Sequence, residues 1–267
     1  MLKLLDNYFL DESKIWLNRY MPVKNLERCL KNGQFNLNFT RIELYDDILE
    51  GWRNDFPELN QAWKNFVSYA KRITNDGGIV ESGKCVVPFF LELNKNLKEN
   101  SHQNIFIIKE IENYLKLIET NFASCWFITE SLHFEERYMW NIYGKSSEEP
   151  AAMISIKWIE LKTILEKSKK CFVCGLVDYD GKSKKNALFK KHSSYSHEKE
   201  FRIISSDFKH DYNPLVVEKT LKKIITLSEP ISSNEYNKIK SVLKEQDEIK
   251  YSNLPIQWKL KDIKNLL

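Results

Sequence analysis

The sequence predicts an α+β fold, a mixed sheet with strands drawn from both ends of the chain and a helical insertion after the second strand. Three observations predict it. Short apolar or alternating runs of strand length occur near the N-terminus and again from Phe122 onward. Between about 52 and 121 the apolar residues keep helical spacing over Asp55–Ile73 and Ile105–Ile118 instead. No internal repeat or low-complexity linker divides the chain, so residues 1–267 read as a single domain with its insertion at about 52–121. A hydrophobic content of 42% and an aromatic content of 13% over 267 residues are enough for a sizeable core.

Lys14 to Met21 reads as a strand that Pro22 stops. Val23 to Asn32 reads as a helix with Leu26 and Leu30 on one face, closed by Gly33. Phe35, Leu37 and Phe39 alternate as a second strand. In the insertion, Asp55 caps a helix running to Ile73, Pro57 suits its first turn, and Ala62, Trp63, Phe66 and Ala70 mark its buried side. Asn75-Asp-Gly-Gly78 ends that helix. Val86 to Leu97 stays open between helix and strand because Pro88 interrupts it, and Ile105 to Ile118 is an amphipathic helix. Phe122 to Thr129 reads as a buried strand, and Ser131 as the cap of a helix carrying Met139, Trp140 and Tyr143. Ala151–Lys157, Cys171–Tyr179, Phe201–Ser205, Leu215–Glu218, Lys223–Ser228 and Ile249–Ser252 are further strands. Ile159–Lys167 and Asn234–Glu245 are helices.

Composition narrows the function classes. Lys and Arg number 41 against 37 Asp and Glu, and this net charge of +4 is too slight by itself to imply a nucleic-acid partner. No apolar run is long enough to span a bilayer and the first residues lack a secretory pattern, so the expected setting is cytoplasmic, away from membranes. Five scattered cysteines agree with a reducing compartment. Cys171 and Cys174 have the spacing of half a zinc site, but no second pair follows; they are expected to lie in or beside a buried strand, with no metal. No phosphate-binding glycine loop, dinucleotide fingerprint or nucleophile elbow is present.

The richest stretch is Tyr195 to Ile204. Read as a strand, it places Glu198, Glu200 and Arg202 on one face and Phe201 and Ile203 on the other. Two carboxylates that close need water, a cation or a ligand hydroxyl to relieve them. A solvated edge-strand face carries the same pattern. Just before it, residues 181–197 hold Lys182, Lys184, Lys185, Lys190 and Lys191 with no acid, beside Phe189 and Tyr195. Lysines interleaved with rings suit a single nucleic-acid strand, and they equally suit a solvated loop.

Three blocks resemble a bacterial family long classed only as a domain of unknown function. They are Arg19-Tyr20-Met21 with Leu30-Lys-Asn-Gly-Gln-Phe-Asn-Leu37 and Asp46-Asp-Ile-Leu-Glu-Gly51; Ser124-Cys-Trp126 with Met139-Trp-Asn-Ile-Tyr-Gly144; and Val177-Asp-Tyr179 with Lys191 through Arg202. That family is similar to the mono-ADP-ribosyltransferases, whose order of Arg, Ser and Glu-x-Glu reappears as Arg19, Ser124 and Glu198-x-Glu200. Cys125-Trp126 stands where those enzymes carry Ser-Thr-Ser wording. More distantly, the chain resembles the ADP-ribosyltransferase toxins of toxin–antitoxin–chaperone phage-defence systems. The resemblance implies an ADP-ribosyltransferase-like sheet core and NAD as co-substrate without a metal. It implies Glu200 as the carboxylate beside the ribose and Glu198 as the one nearer the acceptor. It further implies Arg19 on the phosphates, Ser124 on the nicotinamide ribose, and Tyr20, Trp126, Trp140 or Tyr143 stacking on a planar ring. Lys184, Lys185, Lys190 and Tyr195 would meet the target, RNA or single-stranded DNA before protein, and an antitoxin protein would be the neutralising partner. A catalytically inactive nucleic-acid-binding or protein-interaction module is the alternative.

Overall fold

The computed structural model describes residues 1–5, 11–31, 34–42, 113, 116–132, 134–143, 150–179, 187–191, 193–210, 212–217, 221–228 and 231–254. Among these residues the architecture is mixed α+β, dominated by one sheet. Its strands are β1 (Leu2–Leu4), β2 (Trp16–Pro22), β3 (Leu30–Lys31), β4 (Gln34–Arg41), β5 (Phe122–Thr129), β6 (Ala151–Lys157), β7 (Phe172–Leu176), β8 (Glu200–Ser205), β9 (Tyr212–Val217), β10 (Lys223–Leu227) and β11 (Glu248–Tyr251). The helices are α1 (Val23–Cys29), α2 (Arg137–Tyr143), α3 (Trp158–Lys167) and α4 (Ser233–Val242), and residues 116–120 are also helical.

The strands run in the order β1-β7-β8-β5-β2-β6-β10-β11. Only the outer pairs β1/β7 and β10/β11 are parallel; the inner ladders are antiparallel. Every residue of β8 and β10 is buried, as expected for strands covered on both faces. On one face Leu17, Met21, Trp126, Ile154, Phe201 and Ile203 join Leu161 and Leu165 of α3. Trp158, which opens α3, meets Phe201 edge-on at 4.9 Å. On the other face Tyr20, Phe127 and Met153 pack against Met139 and Trp140 of α2.

One edge of β5 is shared between two neighbours, and this sharing makes the cleft. Phe127–Thr129 pair with Trp16–Asn18 of β2, while Phe122 and Ala123 pair with Arg41 and Thr40 of β4. Ser124, Cys125 and Trp126 pair with neither strand on that edge, although they pair with β8 on the other. Meanwhile β2 keeps a full ladder with β6, from Trp16↔Lys157 to Pro22↔Ala151. The sheet therefore splits between β2 and β5 just past Asn18. A buried polar chain closes the joined end: Asn18 Nδ2 donates to Thr129 Oγ1 at 3.0 Å, and Ser155 Oγ donates to Asn18 Oδ1 at 2.6 Å.

Several boundaries differ from the sequence reading, each for a tertiary reason. The helix read as Val23–Asn32 stops at Cys29, because Leu30 and Lys31 pair antiparallel with Phe35 and Gln34. Ser131 does not cap a helix. Residues 134–136 stay outside it, where Phe134 stacks on Phe127 at 6.1 Å and Glu136 N–H donates to Tyr20 Oη at 2.9 Å, and α2 begins only at Arg137. The strand read as Cys171–Tyr179 is limited to Phe172–Leu176, with Cys174 buried and Cys171 exposed at its entrance. β1 had no signal of its own and forms by parallel pairing of Leu2–Leu4 with Phe172–Cys174. α4 starts one residue early on a capping box between Ser232 and Glu235. The readings over Asp55–Ile73 and Val86–Leu97 lie outside the described residues.

Candidate functional site

The splayed strands enclose a cleft of about 670 Å³, within the range of about 300–1,000 Å³ usual for small-molecule and cofactor sites. One wall is Asn18 to Pro22 of β2, the other Cys125 to Phe127 of β5, and Asn38 and Thr40 of β4 lie across the opening. Neighbouring residues of β2 line it irrespective of side-chain parity, as follows when a ligand faces a strand edge instead of a sheet face.

Arg19 spans this split. Its Nη1 lies 3.5 Å from both the Asn38 carbonyl of β4 and Ser124 Oγ of β5. Both contacts are at the long limit for hydrogen bonds, and among the described residues Nε and Nη2 retain donors for a ligand. Ser124 is fully buried and also accepts from Trp126 Nε1 at 3.1 Å, so its hydroxyl sets the position of Arg19 and Trp126 together. Asn38 Nδ2 meets Cys29 Sγ at 3.2 Å behind the guanidinium. Burial raises the Cys29 thiol above its ordinary value, against a smaller downward pull from Arg19.

At the other end stand the two glutamates, and here the strand reading of Tyr195–Ile204 is corrected. Ser193–Glu198 form a 3-10 helix and the strand begins only at Glu200. Between them Lys199 takes φ 41°, a left-handed conformation that costs a non-glycine residue about 1–2 kcal/mol. That turn returns Glu198 to the side of Glu200, so the two carboxylates meet without strand alternation. Such strain is concentrated at functional sites.

The cation that relieves them is Lys191, whose Nζ is 2.7 Å from Glu198 Oε2 and 3.3 Å from Glu200 Oε2. Burial opposes the charge on Lys191, yet Glu200 and Glu198 outweigh it and hold its pKa above the ordinary lysine value. Its ammonium also lies 4.6 Å from the centre of the Tyr195 ring. Arg202, fully buried, holds Glu200 Oε1 with Nε at 2.7 Å and the Leu188 carbonyl with Nη1 at 2.5 Å. Burial raises the Glu200 carboxyl above the usual carboxylate range, against the pull of Lys191 and a hydrogen bond from the Cys125 thiol. Tyr143 donates to Glu198 Oε1 at 2.5 Å. Burial, then the Glu198 charge, raises the Tyr143 hydroxyl above its ordinary value. Tyr179 accepts from the Glu200 N–H at 3.0 Å, and its hydroxyl is raised by burial and by Glu200.

Arg19, Tyr20, Trp126, Tyr143, Glu198 and Glu200 thus all line one cleft, with Ser124 buried behind it. Trp140 is buried and meets Tyr20 edge-on at 4.8 Å. Lys190 and Phe189 are buried too, so neither is offered to a target from a solvated loop. Tyr195 is half-buried under Lys191. Lys184 and Lys185 lie outside the described residues. Sequence reasoning placed Lys191 only in the lysine run. The signal for its role was the need of two close carboxylates for a cation, and no spacing rule identified which lysine answers it. Among the described residues no group of three or more His, Cys, Asp or Glu stands where it would hold a metal ion, and no helix is long and apolar enough to cross a membrane.

The fold and site together define a mixed α+β protein with a cleft in a split sheet, lined by apolar residues and by charged groups at Arg19, Lys191, Glu198 and Glu200. Comparison with protein-family models, with curated proteins and with solved structures found no match.

Proposed function

We propose that this protein is an NAD⁺-dependent mono-ADP-ribosyltransferase, acting as a bacterial toxin or phage-defence effector. One observation carries the reading: β2, β5 and β8 lie side by side, and where the first two part, Arg19 and the Glu198–Glu200 pair line a single cleft. In the reaction the bond between ribose C1′ and the nicotinamide nitrogen breaks, its electron pair leaves with nicotinamide, and positive charge develops on the ribose. The acceptor's lone pair then forms the new bond at C1′, and its proton passes to a base.

The two carboxylates divide these tasks by what they already hold. Glu200 Oε2 lies at 3.3 Å from Lys191 Nζ and 3.4 Å from Arg202 Nη2, contacts long enough for a ribose hydroxyl to compete with them and for the carboxylate to face the developing charge. Glu198 is tied to Tyr143 at the exposed rim, which suits a base on the acceptor side. Arg19, with only long contacts at Nη1 among the described residues and a permanent charge, suits the pyrophosphate. Tyr143 lines the cleft and is exposed, and the exposed Tyr138 meets His197, next to Glu198, edge-on at 4.2 Å. Exposed rings beside a transfer site favour a planar acceptor, so RNA or single-stranded DNA is preferred to protein.

The test is incubation of the purified protein with NAD⁺ labelled in its adenylate half, together with mixed RNA, single-stranded DNA and protein. Label is expected in nucleic acid with release of nicotinamide, and in no fraction with Glu200→Gln. Label confined to protein overturns the acceptor assignment, and intact NAD⁺ overturns the transferase reading.

A further inference from the structure

Two buried carboxylates share one corner of the cleft, and their two cations are held differently. Arg202 is fully buried and holds Glu200, with Nε on Oε1 at 2.7 Å and Nη2 at 3.4 Å from Oε2, together with the Leu188 carbonyl. Lys191 touches both glutamates and sits at the cleft wall. Among the described ion pairs, Arg202 alone would leave one of the two buried carboxylates without a cation. Carboxylates so placed retain a shared proton at a pH where a lone one has lost it. With Lys191 the four charges balance while both carboxylates are ionised.

We propose that Lys191 is a positioning residue that keeps Glu198 and Glu200 ionised together, so that one can meet the ribose while the other takes the acceptor's proton near neutral pH. This assignment rests on the transferase reading above. A protonated Glu200 could neither accept the ribose hydroxyl through that oxygen nor oppose a developing cation. A protonated Glu198 could not receive the acceptor's proton.

The other groups facing the pair do not substitute for the ammonium. Tyr143 from α2 contributes a hydroxyl to Glu198, the Cys125 thiol from β5 donates to Glu200, and Tyr179 meets the Glu200 backbone N–H. These are neutral donors or acceptors with hydroxyl or thiol protons. Arg202 carries its charge throughout the working pH range. Lys191 is therefore the group whose removal changes the proton inventory of the pair.

The direct experiment is a carboxyl carbon NMR titration of glutamate-labelled protein without NAD⁺, for the wild type, Lys191→Met, Lys191→Gln and Lys191→Arg. In the Met and Gln variants the pair is expected to take up a proton about 1 pH unit or more higher than in the wild type. Lys191→Arg is expected to titrate like the wild type. Lys191→Gln keeps a donor without the charge and carries the same expectation if Lys191→Met fails to fold. The acid limb of NAD⁺ consumption should move by the same amount, and adding Glu198→Gln to Lys191→Met should move it back, because the like charge is gone. Carboxyl titrations unchanged in both uncharged variants overturn the assignment, whether or not NAD⁺ is consumed. A wild type that leaves NAD⁺ intact while the variants shift as expected overturns the transferase reading and leaves Lys191 as the group holding the pair ionised.

Discussion

Lys191 and Lys223 both hold an ammonium against buried carboxylate, and the surroundings of the two differ. Lys223 Nζ lies 3.0 Å from Asp247 Oδ2 and also donates to the Leu221 carbonyl at 2.9 Å. Asp247 in turn accepts the backbone N–H groups of Lys223 and Lys244 at 2.9 and 3.0 Å. Here one cation meets one anion, and backbone groups supply the other described contacts of both. The pair fastens the start of β10 to the turn before β11. At Lys191 one ammonium serves two carboxylates, and Tyr143 reaches the cluster from a separate helix. That cluster opens on the cleft. A pair closed in by backbone secures a fold, whereas a cluster that lines a cleft can also meet a ligand.

Crossed effects of mutation would break or sharpen this contrast. The largest expected change is at the closed pair. Asp247→Ala leaves Lys223 buried without its anion and two backbone N–H groups without acceptors, and should lower stability by about 3–5 kcal/mol in a urea unfolding curve. NAD⁺ consumption measured well below the unfolding transition should be retained. A loss of activity equal to that of a cleft mutant would erase the distinction.

Glu200→Gln should do the reverse. The amide oxygen still accepts from Arg202, but the charge facing the ribose is gone, so the rate of NAD⁺ consumption should fall by about a hundredfold or more, ~3 kcal/mol in the barrier. Its loss of stability should be smaller than that of Asp247→Ala. Glu198→Gln should reduce transfer to the acceptor more than NAD⁺ hydrolysis, a split readable by comparing nicotinamide release with label transferred. Wild-type rates in Glu200→Gln would remove it from the reaction.

Arg19→Lys is expected to weaken NAD⁺ binding about tenfold, because an ammonium cannot reproduce the two-pronged contact of a guanidinium. Calorimetric titration reads this, and an unchanged affinity would make Arg19 a brace between β2, β4 and β5 instead. The smallest effect is alkaline. Lys191, raised by its carboxylates, contributes stability that is complete below the ordinary lysine value and is lost as pH rises above it toward the folded value. Tyr143 and Tyr179 are raised by burial and act with the same sign. Stability should therefore fall with rising pH above about pH 10, and less steeply in Lys191→Met.

The strands most legible in the sequence were those whose apolar runs are covered on both faces. Ala151–Lys157 keeps its bounds, Phe201–Ser205 gains one residue at its start, and Lys223–Ser228 loses one at its end. Local pattern failed where pairing or packing at long range decides: β1 exists only against β7, and Leu30 leaves its helix to pair with Phe35. Glu198 is the clearest case. Alternation brought it beside Glu200 for a reason that does not hold, since a 3-10 turn and the left-handed Lys199 bring it there instead.

The sequence by itself determined the α+β class, the central strands and the residue types that meet in the cleft, because period and burial tendency are properties of neighbouring residues. Only the tertiary structure decided that β5 divides one edge between β2 and β4, since strand pairing is a choice among distant segments. The same holds for the lysine between the glutamates: five lysines precede Glu198 in one run, and only the fold places Lys191, of these, within 2.7 Å of Glu198 and 3.3 Å of Glu200.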